Sequence, residues 1–139
     1  MRKTEQKLWD RFRNKAPIRV LLLRVENVVG EPGFPDVLAL VAGNTTLVEL
    51  KAVAAPPVRP TTRLLGNDGL SIDQRNWHLA WNRAGGKSWI LVGCGSFDHW
   101  LLPGRLADSI NGMTCADLTQ LAAATDWTSI FEVLGDKKR

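Results

Sequence analysis

The sequence predicts an α/β fold, a mixed central sheet flanked by helices, and three observations carry that expectation. The candidate elements run in the order α-β-β-β-α-β. Two apolar runs meet at Ala42-Gly43-Asn44-Thr45, which is a hairpin signal. A later helical segment, opened by Ser71 and stopped by Gly85-Gly86, is followed at once by an apolar strand.

In chain order, residues 4–15 place Leu8, Trp9 and Phe12 on one side of a helix. Residues 18–29 read as a long strand rich in Val and Leu, and 36–53 as the hairpin. Residues 54–69, rich in Pro, Gly and Thr, read as a loop. Helix 71–84 follows, then a buried strand over 88–93 and a short one over 97–102. Two or three short helices complete the chain, with Thr114 as a cap and Trp127, Ile130, Phe131 and Leu134 as a packing stripe. The expectation is one domain, 1–139, with a core over about 4–103 and a helical extension over 104–139.

The chemistry gathers at the hairpin ends. Gly33-Phe34-Pro35-Asp36 leads into the first apolar run, and Glu49-Leu50-Lys51 ends the second. A turn at Gly43-Asn44, or one over 42–45, sets Asp36 opposite Lys51 and Leu38 opposite Glu49. Alternation then puts Asp36, Glu49 and Lys51 on one face, with Asp36 the diagonal neighbour of Glu49 at roughly 7–8 Å. Slipping the register by one residue would break the group. Two carboxylates about 5 Å apart repel by roughly 3 kcal/mol at an effective dielectric of 20. Lys51 offsets part of this and a divalent cation would offset more. An all-oxygen donor set selects Mg²⁺ or Mn²⁺. The plainer alternative is a surface hairpin carrying a Glu-Lys pair.

These residues resemble the signature of the PD-(D/E)XK nuclease superfamily. Arg24-Val25-Glu26-Asn27, Gln74-Arg75-Asn76-Trp77 and Ala84-Gly85-Gly86 extend the likeness over about Glu5 to Gly93. The ordered set resembles the small virus-type replication–repair nuclease branch (VRR-NUC), which is similar to Holliday-junction resolvases. The resemblance implies a restriction-endonuclease-like αβββαβ core. It implies Mg²⁺ held by Asp36, Glu49 and the backbone carbonyl of Leu50, with Lys51 acting on the attacking water. It also implies DNA as substrate, branched or four-way, and a homodimer.

Several residues have two readings. Glu5 lies on the apolar side of the first helix, and in the resemblance such a Glu approaches the metal; otherwise it serves the helix dipole. Glu26 is a further acid of the site or a partner for Arg24, and Asn27 braces the turn before Asp36. Gln74 completes a capping box with Ser71, or points to the active centre as in the resembling nucleases. Trp77, Ala80, Trp81 and Ala84 form a stripe expected in the core rather than as base-stacking platforms, and His78 could reach the cleft or solvent, solvent being usual for a lone helical His. Arg59 and Arg63, on the loop after Lys51, are DNA-contact candidates, with Arg75 and Lys87 as weaker ones. Lys137-Lys138-Arg139 reads as a solvated tail.

Composition sets the bounds. Apolar residues make up 45% of the 139, with a net charge of +4. A pI near 9.4 permits a polyanionic partner without requiring one. No membrane span or secretory signal is read, and Cys94 and Cys115 lack metal-ligand spacing, so a cytoplasmic protein is expected, from a bacterium or phage-infected cell. The expected activity is Mg²⁺-dependent DNA endonuclease, selective for branched DNA. The alternatives are a flap-, mismatch- or restriction-type nuclease, and a catalytically silent DNA-binding subunit with the same fold.

Overall fold

Helix α1 (Lys3–Lys15) forms where Glu5, Leu8, Trp9 and Phe12 recur on one side of a 3.6-residue period, and that stripe is buried. Arg13 and Lys15 in its last turn complement the helix dipole. A computed structural model of the chain, describing residues 2–25 and 30–139, sets α1 against one face of a five-stranded sheet.

The sheet runs in the order β1-β2-β3-β4-β5, comprising β1 (Val20–Arg24), β2 (Val37–Val41), β3 (Asn44–Val53), β4 (Ser88–Cys94) and β5 (Asp98–Pro103). β3 and β4 pair parallel and the other neighbours antiparallel, so the sheet is mixed. The parallel pair needs a crossover, which carries helix α2 (Ile72–Arg83). β4 is buried along its whole length, as a strand covered on both faces must be. Leu91 joins Leu8, Phe12, Leu50 and Ile130 on one side of the sheet, while Ile90 and Val92 join Leu65, Leu102 and Leu118 on the other. β1 begins at Val20 rather than at the expected residue 18. The Val20 N–H bonds back to the Pro17 carbonyl at 3.1 Å, so Ile18 sits in an exposed turn. Residues 26–29, with Glu26 and Asn27, lie outside the described residues.

The loop over 54–69 is pinned at its far end, where Leu64 and Leu65 are buried and a 3₁₀ turn covers Gly66–Asp68. Helices α3 (Cys115–Leu121) and α4 (Trp127–Leu134) close the chain. Thr114 caps α3, and Ile130, Phe131 and Leu134 are buried as the stripe requires. Phe131 stacks on Phe12 of α1 at 5.5 Å.

The hairpin register differs from the expected one. The turn is Ala42-Gly43, with φ of +50° and +78°, and Val41 pairs with Asn44. Asn44 is drawn into β3 because its amide donates to the Leu134 carbonyl at 2.6 Å, a tie from α4 that local turn chemistry does not contain. The shift relative to expectation is two residues. Parity therefore survives, and Asp36, Glu49 and Lys51 keep a common face. Asp36 comes to stand directly across from Glu49, one step beyond the Val37–Val48 pair, rather than on its diagonal.

The expected α2 stripe is also displaced. Ala80, Trp81 and Ala84 are exposed and Trp77 is half-buried. The helix turns His78 to the sheet instead. Trp81 stacks on Trp77 at 5.0 Å and donates its indole N–H to the Lys87 carbonyl at 3.0 Å, so the pair forms a ledge along the helix flank.

Candidate active site

Three elements converge on the hairpin end. Pro35 and Asp36 enter β2, Glu49 and Lys51 lie on β3, and α2 covers them with Gln74 and His78. Gly33 sets the spacing between the first and the last. Its φ is +83°, and a Cβ there would run into the Asp73 carbonyl of α2, so only glycine lets the segment lie against the helix N-terminus.

Asp36 Oδ2 accepts the Leu50 N–H at 2.8 Å. A strand residue sends its N–H and C=O to the same edge, so the Leu50 carbonyl also leaves toward this end of β2. By register it meets Pro35, which has no N–H to offer. The ladder thus leaves that carbonyl free beside the carboxyl group of Asp36. Among the described residues no group of three or more His, Cys, Asp and Glu side chains forms a metal cluster. The donors available are two carboxylates and one carbonyl, all hard oxygens, and they fit an ion that keeps several of its waters, as Mg²⁺ does.

Glu49 is fully buried, at 0% exposure. Burial pushes its pKa up to about 7. Burial, then the charge of Glu49 and a hydrogen bond to it, push Asp36 up to about 8. The pair shares a proton that Asp36 keeps the longer, and a cation binding there must displace protons at neutral pH.

Gln74 makes contacts in both directions. Its Oε1 accepts the Ser71 N–H at 2.9 Å in the capping box, while its Nε2 donates to Glu49 Oε2 at 3.3 Å. His78, whose position left cleft and solvent open, is completely buried. Its Nε2 faces Glu49 Oε1 at 3.4 Å and its Nδ1 faces Ser88 Oγ at 2.7 Å. Burial lowers its pKa to about 4, so the ring is neutral at pH 7. A carboxylate can only accept, so Nε2 carries the proton and Nδ1 accepts from the Ser88 hydroxyl. Asn82 Nδ2 in turn donates to that hydroxyl at 3.0 Å. One sequence signal could have found His78: it follows Gln74 by four residues, which puts both on one helix face.

Glu5 is buried on the inner side of α1, beside Lys51. It is 8% exposed, its Oε1 lies 3.9 Å from Lys51 Nζ, and its Oε2 lies 3.6 Å from Arg2 Nε. Burial raises its pKa. Arg59 and Arg63 are exposed on their loop. Arg75 is half-buried, with Nε enclosed and lacking a hydrogen-bond partner. Lys87 is exposed, but its Nζ donates to the Lys137 carbonyl at 3.3 Å.

No protein-family model and no curated protein sequence matches the chain. No described helix is long and apolar enough to cross a membrane. Among solved structures, the chain is similar to Hjc, a Holliday junction resolvase from the archaeal hyperthermophile Archaeoglobus fulgidus, with 16% sequence identity and a TM-score of 0.59. The match covers 96% of this chain and 98% of that one. Sheet order, crossover and flanking helices together are therefore those of a Hjc-like, restriction-endonuclease-like fold.

Proposed function

We propose that this protein is a metal-dependent DNA endonuclease of the PD-(D/E)XK type that hydrolyses phosphodiester bonds in branched or four-way DNA. The observation that carries the reading is the pairing of Asp36 with Glu49 beside Lys51. A fully buried Glu49 that stands across from Asp36 and raises its pKa is a poor arrangement for stability alone, and a good one for gripping a hard cation. The likeness in fold to a resolvase supports the preference for branched DNA, and the two-fold dimer is proposed from the sequence resemblance alone.

Asp36, Glu49 and the Leu50 carbonyl would hold Mg²⁺ or Mn²⁺. When bound, the ion would supply charge neutralisation at the scissile phosphate and acidify a water. Gln74 and His78 each donate to one oxygen of Glu49, which fixes the carboxylate plane and leaves its other lone pairs free. Because His78 is neutral, it orients Glu49 without cancelling its charge. Lys51 orients the attacking water and stabilises the charge that builds on the phosphoryl oxygens. Glu5 holds the Lys51 ammonium in place from α1. Arg59, Arg63 and Arg75 are proposed to contact DNA phosphates.

The test is cleavage of linear, flapped and four-way DNA with and without Mg²⁺, alongside Asp36→Ala and Lys51→Ala. Metal-dependent cutting lost in both variants with DNA binding retained supports the proposal. Binding without cutting by the parent chain on every substrate would leave a DNA-binding subunit instead.

A further inference from the structure

A second polar groove, of about 120 Å³, opens at the carboxyl ends of β3 and β4. One wall is α1, which presents Thr4, Lys7 and Arg11 at a spacing that keeps them on one stripe. The other wall is the backbone of residues 52–54 and the β4–β5 turn at Gly95 and Ser96. The lining holds two cations and two hydroxyls but no acid, so its chemistry selects an anion.

Arg11 is built into the groove. Its Nε donates to His99 Nε2 at 3.2 Å and its Nη2 to the Gly95 carbonyl at 2.8 Å. Both acceptors are uncharged, since burial holds His99 down to about 4. Arg11 forms no ion pair among the described residues. A half-buried guanidinium, fixed in place and without a counter-ion, is an unfilled half of a charge pair. Lys7 is exposed and likewise makes no ion pair among the described residues.

The groove begins where the carboxylate site ends. Arg2 and Thr4 both donate to the Ala52 carbonyl, at 3.1 and 3.2 Å, and Ala52 follows Lys51 directly. Along α1, Glu5 and Arg11 are about 9 Å apart in rise, which suits a neighbouring phosphate rather than the scissile one. Next to Ser96, at the tip of the turn, Phe97 is 91% exposed. Water-exposed phenyl surface of that extent is costly in the free protein and available for stacking.

We propose that this groove binds a backbone phosphate of the nucleic-acid strand running past the carboxylate site, with Arg11 and Lys7 as its donors and Phe97 as the support for the adjoining base. The proposal rests on the nuclease reading for the polarity of the path, and its test is separable from catalysis. Binding of a fluorescein-labelled single-stranded oligonucleotide to the full chain is followed by anisotropy in EDTA across a salt series. Lys7→Ala and Arg11→Gln should each weaken binding about 3- to 10-fold and flatten the slope of log K against log salt by about 0.7. Phe97→Ala should weaken it by about 5- to 10-fold with the slope unchanged. Arg11→Gln also removes bonds to His99 and Gly95, so Lys7→Ala decides if that variant melts early. Parental affinity and slope in both Lys7→Ala and Phe97→Ala would overturn the proposal, as would a parent chain that binds no oligonucleotide. Weakened variants of a parent that cuts no DNA with any metal would keep the groove and remove the nuclease reading.

Discussion

His78 Nε2 stands 3.4 Å from Glu49 Oε1, and neither side chain is reached by solvent. The contact is a neutral donor on a buried acid, and it couples the helix crossover to the metal-ligand candidate on β3. Truncating the ring leaves Ser88 and Glu49 each short of a partner. His78→Ala should cost about 1–3 kcal/mol in denaturant unfolding. Cleavage should fall about 10- to 100-fold, as for loss of a group that orients a metal ligand. Unchanged kcat/KM in a folded His78→Ala protein would remove His78 from the site.

Asp36 and Glu49 make the metal-free protein sensitive to alkali. Their folded-state pKa values, about 8 and about 7, stand above the ordinary 3.8 and 4.5. The folded protein therefore holds more protons than the unfolded chain. The stability due to these groups is complete below about pH 4 and is lost as the pH rises through 7 and 8. His78 works in the opposite sense, with a contribution present above 6.5 that is lost as the pH falls toward 4. Asp36→Asn should flatten the alkaline side of the Tm–pH curve. At pH 8 without metal it should exceed the parent by on the order of 1–3 kcal/mol. A less stable Asp36→Asn under those conditions would contradict the assignment.

Divalent metal should reverse that alkaline loss. Mg²⁺ or Mn²⁺ at 100 times its Kd should stabilise the parent by about 2.7 kcal/mol, read as a rise in Tm that EDTA abolishes. The ion competes with protons on both acids, so its affinity should climb between about pH 6 and pH 8 and then level. Asp36→Asn and Glu49→Gln should lose most of the effect. Equal metal-induced shifts in parent and double variant would place the ion elsewhere.

Gly33 should tolerate no side chain. Gly33→Ala demands a left-handed conformation from alanine and drives its Cβ into the Asp73 carbonyl. The expected cost is about 2–4 kcal/mol, from backbone strain and overpacking together. The residue lies near Asp36, so metal-induced stabilisation should weaken in the same variant. A wild-type melting curve would show that the segment relaxes away from α2.

Ala42 occupies the left-handed region at φ +50°, far from the carboxylates. Ala42→Gly should relieve that strain and raise stability by about 0.5–1 kcal/mol, net of the glycine's greater unfolded-state entropy. Metal binding should not change. A destabilised Ala42→Gly would argue for a different turn.

The α/β fold, the element order and the common face of the candidate residues were written in local pattern. Periodicity marked α1, the chain reversal marked the hairpin, and Ser71 with Gln74 and the Gly85-Gly86 stop marked α2. The common face of Asp36, Glu49 and Lys51 was legible because strand alternation has a period of two, and the shift that tertiary packing imposed was also two. Glu5 was legible because a carboxylate on an apolar stripe needs partners, and those partners are Arg2 and Lys51.

Contacts between distant segments decided the rest. The Asn44 bond to Leu134 chose the turn, over a separation of 90 residues that no local rule spans. The rotation of α2 about its axis decided that His78 is buried and Trp81 exposed, since a helix bearing apolar groups on two sides can turn either toward the sheet. Gly33 lets its segment lie against the first turn of α2, and Gly104 lies close to Asn82 of α2 and Ser88 of β4, at positions where a side chain would collide. Sequence by itself thus determined which groups share a face. Only the folded chain decided how deeply they are buried, and burial is what gives Asp36, Glu49 and His78 their shifted proton affinities.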